Sequence, residues 1–225
     1  DYFNRGETRK AFSMAEELLE KVTFPVSVAA WITVVVGTFY GYLGEWEKSR
    51  KYLMEGLDIA KKTGEYLLFS SAYSSTRWLG ELSMEMEDYS EAEKRFNEYN
   101  NIVEKAGETE TQFSVSFPAL SRLYLKKGEI EKAKELIEKT YEYAAKTKNR
   151  RLAAHIEMLK GMLFREQKNW EQSIQHFEKS LQGYKSLSEQ KWDVIAYAEL
   201  LYEYGLTYLE RNEEGDRERA YSLLN

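Results

Sequence analysis

The chain has 225 residues, 43% of them hydrophobic, with 32 basic and 38 acidic side chains and a formal charge of −6. The charges alternate in sign and no long basic run occurs, so the electrostatic footprint of nucleic-acid binding is missing. Cysteine is absent, which excludes disulfides and thiol chemistry and fits a reducing, cytoplasmic setting.

Two prolines and 13 glycines argue for helix throughout. A six-residue phrase organises the chain: a turn position, usually an acid, three variable residues, then a small residue. It runs from Gly6 to Ala11, Gly44 to Ser49, Glu87 to Ala92, Gly128 to Ala133, Lys168 to Ser173 and Gly215 to Ala220. A unit recurring about every 40 residues predicts a repeat array. Each unit reads as two helices, A before the phrase and B after it.

In chain order, residues 7–20 form a leading B helix. A/B pairs follow at 25–63, 65–105, 110–147 and 151–187, and a last unit beginning near 191 is cut off at 225. The expectation is one array over 1–225, taken from a longer protein. The first A helix lies in a stretch, Val22 to Gly44, without a charged residue. That stretch is long enough to span a membrane, but it falls in register with the repeat and reads as a buried helix, with no membrane role. Pro25 suits a helix first turn. The following B helix places Tyr52, Leu53, Leu57 and Ile59 at helical spacing.

Within residues 66–80 only Arg77 is charged, and 111–121 carry no charge. Pro118 falls inside the third A helix and predicts a kink or a late helix start. Ala133, Leu136, Ile137 and Tyr141 form the apolar stripe of the third B helix. A small residue seven places before each turn and an aromatic four before it recur: Gly37 and Tyr40, Gly161 and Phe164, with Ser121 and Tyr124 a variant. Gly80 keeps the small position while Ser83 replaces the aromatic. Gly205 and Tyr208 fit once three extra residues are allowed in the turn Arg211–Gly215.

Helix packing explains this pattern. A small residue on helix A lets helix B approach, and the small residue of the phrase answers it. The acid after the turn suits a helix N-terminus, and glycine at the turn takes φ > 0 without steric cost.

On these residues the chain resembles the tetratricopeptide repeats, through Leu79-Gly80, Tyr40, Gly44, Gly128, Ala92, Ala133 and Phe96 or Phe177. The resemblance covers essentially the whole chain and implies an all-α, right-handed α-solenoid of antiparallel helix pairs. The period departs from the usual figure of about 34 residues. Longer units of this kind look like the helical arms of large regulators, such as signal-transducing ATPases and maltose-activator-like transcription factors.

No catalytic constellation is expected. His155 and His176 fall in different helices, and neither a metal-ligand spacing nor a phosphate-binding loop occurs. The reading is non-enzymatic, without cofactor or metal. The resemblance implies that the A helices line a concave face. Its inward positions carry over to Trp31, Val34 and Thr38; to Ser74, Arg77 and Glu81; to Val115 and Arg122; to His155, Met158 and Met162; and to Glu199 and Tyr202. Trp31, Val115 and Met158 serve equally as core contacts, and Arg77 and Arg122 as groove salt bridges. The clamp by which some relatives grip a chaperone's terminal carboxylate is absent, since Val34, Thr38, Trp78, Val115 and Ala119 stand at its places.

The expected function is a scaffold or sensor arm of a larger regulatory protein. It would bind a partner protein, a peptide or another domain of its parent chain, with no nucleic acid. Exposed terminal helices would allow a homodimer. The alternative is an effector-sensing domain controlling an attached ATPase or DNA-binding module, with Arg77, Trp78, Arg122 and His155 lining a pocket.

Overall fold

The computed structural model describes residues 24–63, 66–187 and 194–224, with single positions between 10 and 17. The predicted leading helix 7–20 lies mostly outside the described residues. Among those described, every element is helical. The fold is an all-α solenoid in which consecutive helices pack in pairs.

The chain divides into two compact units, residues 1–108 and 109–225. In the first, α1 (Val26–Tyr42) pairs with α2 (Trp46–Thr63), and α3 (Tyr66–Glu85) with α4 (Tyr89–Lys105). The second opens with a single turn, Thr109–Thr111, and a π-helical stretch, Gln112–Ser116. Three pairs follow: α5 (Phe117–Lys126) with α6 (Ile130–Thr147), α7 (Arg150–Glu166) with α8 (Trp170–Lys185), and α9 (Val194–Arg211) with α10 (Asp216–Leu224).

The turns within the first four pairs share one geometry. Gly44, Glu87, Gly128 and Lys168 all adopt the left-handed conformation, with φ of 75°, 59°, 73° and 57°. At the second of these turns Glu87 N–H donates to the Met84 carbonyl and Asp88 N–H to that of Ser83. At the fourth, Lys168 N–H donates to Arg165 and Asn169 N–H to Phe164. This pair of bonds satisfies the last carbonyls of the A helix. The next residue then opens helix B: the side chains of Asp88 and Asn169 accept from Glu91 N–H at 3.1 Å and Gln172 N–H at 3.2 Å. The acid expected only to favour the helix dipole is thus, at Asp88, an N-cap. Glu129 makes no cap bond. Lys127 at 2.6 Å and Lys132 at 2.5 Å hold its carboxylate instead and keep its pKa below the usual range.

The expected close approach of helix B is present, with a more specific filler than predicted. A Cβ at Gly37 would stand 2.9 Å from Leu53, and one at Gly161 2.9 Å from the ring of Phe177. The filler under Gly37 and Gly161 is therefore the large buried residue of helix B. The small residue of the phrase meets helix A beside it: Ser173 Oγ donates to the Gly161 carbonyl at 2.8 Å.

One detail of the sequence reading is corrected, and the late helix start expected at Pro118 is present. Tyr141 is 47% exposed, with the Lys160 ammonium 3.8 Å above its ring. The buried stripe of α6 is Ala133, Ile137, Thr140 and Ala144, and Tyr141 sits about 100° around the helix from Thr140. Pro118 lies in the first turn of α5, and the helical path before it continues as a π-helix. Phe117 N–H donates to the Gln112 carbonyl, so the widened turn precedes the residue that lacks an N–H. Phe113 on that stretch stacks on Tyr143 of α6, with ring centroids 4.3 Å apart.

The turn with three extra residues is closed by Asp216. Its carboxylate is fully buried and receives Arg211 Nε at 2.9 Å, a second Arg211 nitrogen at 2.6 Å, Glu213 N–H at 2.9 Å and Arg219 at 3.2 Å. The Arg211 hydrogen bonds lead in lowering its pKa to about 2.

Candidate partner-binding faces

In the first unit α1 exposes more large apolar side chains than any other described helix. Val26 is 50% exposed and Trp31 59%, and Val28 is also in solvent. A helix without a charged residue would ordinarily be covered on every side. Tyr42, also exposed, packs edge-on against Trp78 of α3 at 5.4 Å. The Arg77 guanidinium lies 4.7 Å over the Trp78 ring and 3.9 Å from Glu81, and its buried Nε has no acceptor. Ser74 is half-buried, and Thr38 Oγ1 is spent on the Val34 carbonyl of its own helix at 2.9 Å.

Val34 does not belong to this face. It is 3% exposed and packs with Leu53, Leu57, Leu79 and Leu82 in the core of the unit. Met158 and Met162, at 0% and 2%, are likewise core in the second unit. In these three cases the A-helix position carried over from the family points between helices. The longer apolar stripes here bury residues that the family pattern places at the surface.

In the second unit the structure brings two of the expected residues together. Arg122 of α5 forms an ion pair with Glu199 of α9, 77 residues away. Between those helices in the chain lies α7, which packs against both. His155 of α7 meets Tyr184 OH through Nδ1 at 3.2 Å. Val115 is half-buried in the π-helical stretch, and Tyr202 of α9 is 57% exposed. His176, the other histidine, contacts Glu157 at 2.7 Å and stacks on Phe164. Burial raises the Glu157 pKa, but the His176 contact and nearby lysines outweigh it, leaving a net lowering.

Two features escaped the sequence reading. Arg165 and Glu203, both under one tenth exposed, form a buried ion pair at 2.7 Å between α7 and α9. Arg165 also donates to the Glu203 carbonyl at 3.2 Å, and Glu166 and Glu210 stand 3.7 Å from its Nε. Burial, with the neighbouring glutamates, raises the Glu210 pKa against the pull of Arg165. Arg165 stands directly after the motif aromatic Phe164, but nothing in the one-dimensional pattern distinguishes it from a surface arginine. The second feature is an open cleft of about 840 Å³ beside the turn of the fourth pair. Lys168, Trp170, Ile174, Glu178, Arg211 and Glu213 are among its walls. The lengthened turn Arg211–Gly215 was its only trace in the sequence.

Among the described residues no group of three or more His, Cys, Asp or Glu side chains could hold a metal ion, and no helix is long and apolar enough to cross a membrane. The side chains gathered on the A helices are aromatic rings, ion pairs and hydroxyls already bonded to their own helix. Such a set offers contact area and hydrogen bonding.

No family model matches the chain, and neither does any curated protein. Solved structures do. One is the signal transduction ATPase with numerous domains (STAND) protein with a tetratricopeptide repeat sensor from Pyrococcus horikoshii. It aligns with a TM-score of 0.70 at 18% identity, over 98% of this chain and 32% of that one. Another is BtubC (BKLC) from P. vanneervenii, with a TM-score of 0.64 at 14% identity over 97% of this chain and 88% of that one. The chain thus spans about a third of the length of the first. At these identities the likeness is one of fold.

Proposed function

We propose that this chain is a non-enzymatic interaction domain of tetratricopeptide type. It serves as a scaffold or sensor arm that binds a partner protein, or another domain of its own parent chain, through the concave face lined by its A helices. The observation that carries the proposal is the exposure of Trp31 and Tyr202 on A helices, at 59% and 57%. Aromatic side chains of this kind anchor protein interfaces, and Val26 and Val28 extend the apolar surface around the first of them. The likeness to a STAND protein with a tetratricopeptide repeat sensor supports the sensor-arm form of this reading.

The alternative, effector sensing in a pocket lined by Arg77, Trp78, Arg122 and His155, finds less support. Arg122 is committed to Glu199, and the cleft described above lies beside a turn and is open rather than enclosed.

Photo-crosslinking tests the proposal. A crosslinking residue is placed at position 31 or 202, and at Glu138 on the B-helix side as control. The expected result is a protein captured from positions 31 and 202 but not 138, whose purified form binds about tenfold more weakly to Trp31→Ala or Tyr202→Ala. Equal capture from all three positions, or binding indifferent to both substitutions, would sink it.

A further inference from the structure

Long side chains tie α2 to the hairpin of α3 and α4 within the first unit. Lys61 of α2 meets Glu98 of α4 at 2.7 Å, an exposed ion pair. Two further contacts each set a guanidinium on a thioether. Arg50 of α2 donates to Met86 Sδ, in the turn after α3, at 3.6 Å, and Arg95 of α4 donates to Met54 Sδ of α2 at 3.7 Å. Arg50, Met54 and Lys61 are spaced i, i+4 and i+11, so they line one side of α2.

A thioether is a weak acceptor, so these two contacts hold little as they stand. Their donors are nonetheless in place. Glu91 at 2.7 Å and Glu98 at 3.2 Å hold the Arg95 guanidinium. Arg50 has no carboxylate partner among the described residues. What each donor lacks toward the opposite helix is a strong acceptor.

Both sulfurs belong to exposed side chains, Met54 at 43% and Met86 at 38%. Met84, Met158 and Met162 are buried, and the exposed Met14 has no arginine contact of this kind among the described residues. With no cysteine in the chain, methionine is the sulfur that a hydroperoxide meets. The sulfur lone pair attacks the terminal hydroperoxide oxygen and the O–O bond breaks. The proton of that oxygen passes to the departing oxygen, leaving a sulfoxide and an alcohol, or water where the oxidant is hydrogen peroxide. Sulfur is oxidised by two electrons and the hydroperoxide reduced by two. In a core the new oxygen disrupts packing. At Met54 and Met86 it forms in solvent, beside a guanidinium already directed at the sulfur. Rotation about the flexible end of methionine carries it to the donor, and a charged donor makes the stronger class of hydrogen bond.

We infer that Met54 and Met86 are oxidation sites at which a hydroperoxide strengthens the tie between α2 and the α3–α4 hairpin, Arg95 and Arg50 receiving the sulfoxide oxygens. Adjacent pairs of a solenoid are coupled through their shared contacts, so the modification restrains the tilt of one pair on the next. The inference does not depend on partner binding at positions 31 and 202.

The test uses the full chain carrying Met14→Leu, which removes the third exposed sulfur. After hydrogen peroxide treatment, peptide mass spectrometry should find one added oxygen on Met54 and one on Met86, with Met84, Met158 and Met162 unmodified. The oxidised chain should melt about 2–4 °C higher than the untreated one, and the two methionine sulfoxide reductases should reverse the rise. In Arg50→Ala/Arg95→Ala the same two sites should be oxidised without any rise. Met86→Gln and Met54→Gln, which offer a carbonyl oxygen in place of the sulfoxide, should raise the melting temperature without oxidant, and only while the facing arginine is present. An oxidised chain that melts at or below the untreated one, a rise that survives loss of both arginines, or oxidation reaching the buried methionines equally overturns the inference.

Discussion

Gly80 of α3 lies so close to the ring of Phe96 on α4 that a Cβ at position 80 would stand 2.6 Å from Cε1 and 2.7 Å from Cδ1. Phe96 is fully buried and has no room to retreat. Gly80→Ala is therefore an overpacking change costing about 1–3 kcal/mol, which exceeds the helix-propensity gain of about 1 kcal/mol. Gly205 is the matched control: its nearest neighbour is Leu224 at 3.5 Å, an ordinary contact. Gly205→Ala should be neutral or stabilising. Chemical denaturation of both variants checks the sign, and equal effects would refute the close-approach account.

Glu87 and Lys168 occupy the left-handed positions that Gly44 and Gly128 fill elsewhere. A side chain there costs roughly 1 kcal/mol. Lys168→Gly should raise stability by up to about that amount, and Gly128→Ala should lower it by a similar amount. A loss of stability in Lys168→Gly would show that its side chain matters more than its backbone.

Asn169 and Asp88 cap α8 and α4 through their side chains. Replacing either with alanine should cost about 1 kcal/mol. Glu129→Ala, at the equivalent site without a cap bond, should cost clearly less. Thermal melts of the three variants, compared side by side, decide the point.

Asp216 links stability to pH. Its folded pKa is lowered from 3.8 to about 2, chiefly by the Arg211 hydrogen bonds. A depressed carboxylate contributes stability that is fully present above its unfolded pKa and is lost as pH falls through the folded one. The contribution should therefore fade between about pH 4 and pH 2. Hydrogen exchange in α10 should accelerate across that window. Asp216→Asn should show the acceleration already at neutral pH and no further dependence from this group.

Met158 and Met162 separate core from surface. Alanine at either should cost about 2–5 kcal/mol as buried large-to-small changes. Trp31→Ala and Tyr202→Ala should move stability by no more than about 0.5 kcal/mol while affecting partner binding. Small effects at both methionines would return them to the surface.

The helix pairs were legible in the sequence because each leaves a short-range mark. Gly80, Gly161 and the turn residues Gly44 and Gly128 lie within one pair, and their spacing survives translation into structure. The candidate faces were only partly legible. Trp31, Arg77, Arg122, Glu199 and Tyr202 are accessible to some degree, but Val34, Met158 and Met162 turn inward. A one-position rotation of a helix decides which of these an A helix shows, and apolar periodicity does not resolve rotation that finely. Partnerships such as Arg122 with Glu199 and Arg165 with Glu203 are set by how successive pairs stack, and no local pattern encodes that.

The π-helical turn ahead of Pro118 has a consequence for insertions and deletions. A π turn accommodates one residue more than the α-helical path it replaces. Here that residue lets Phe113 reach Tyr143 while Ala119, Leu123 and Leu125 still face the interior. Removing one residue from 112–116 would return the segment to regular α-helix. Phe113 would then swing about 100° relative to the residues after Pro118, and the stack on α6 would be lost. The entrance to the second unit is thus a place where chain length, more than side-chain identity, is under constraint.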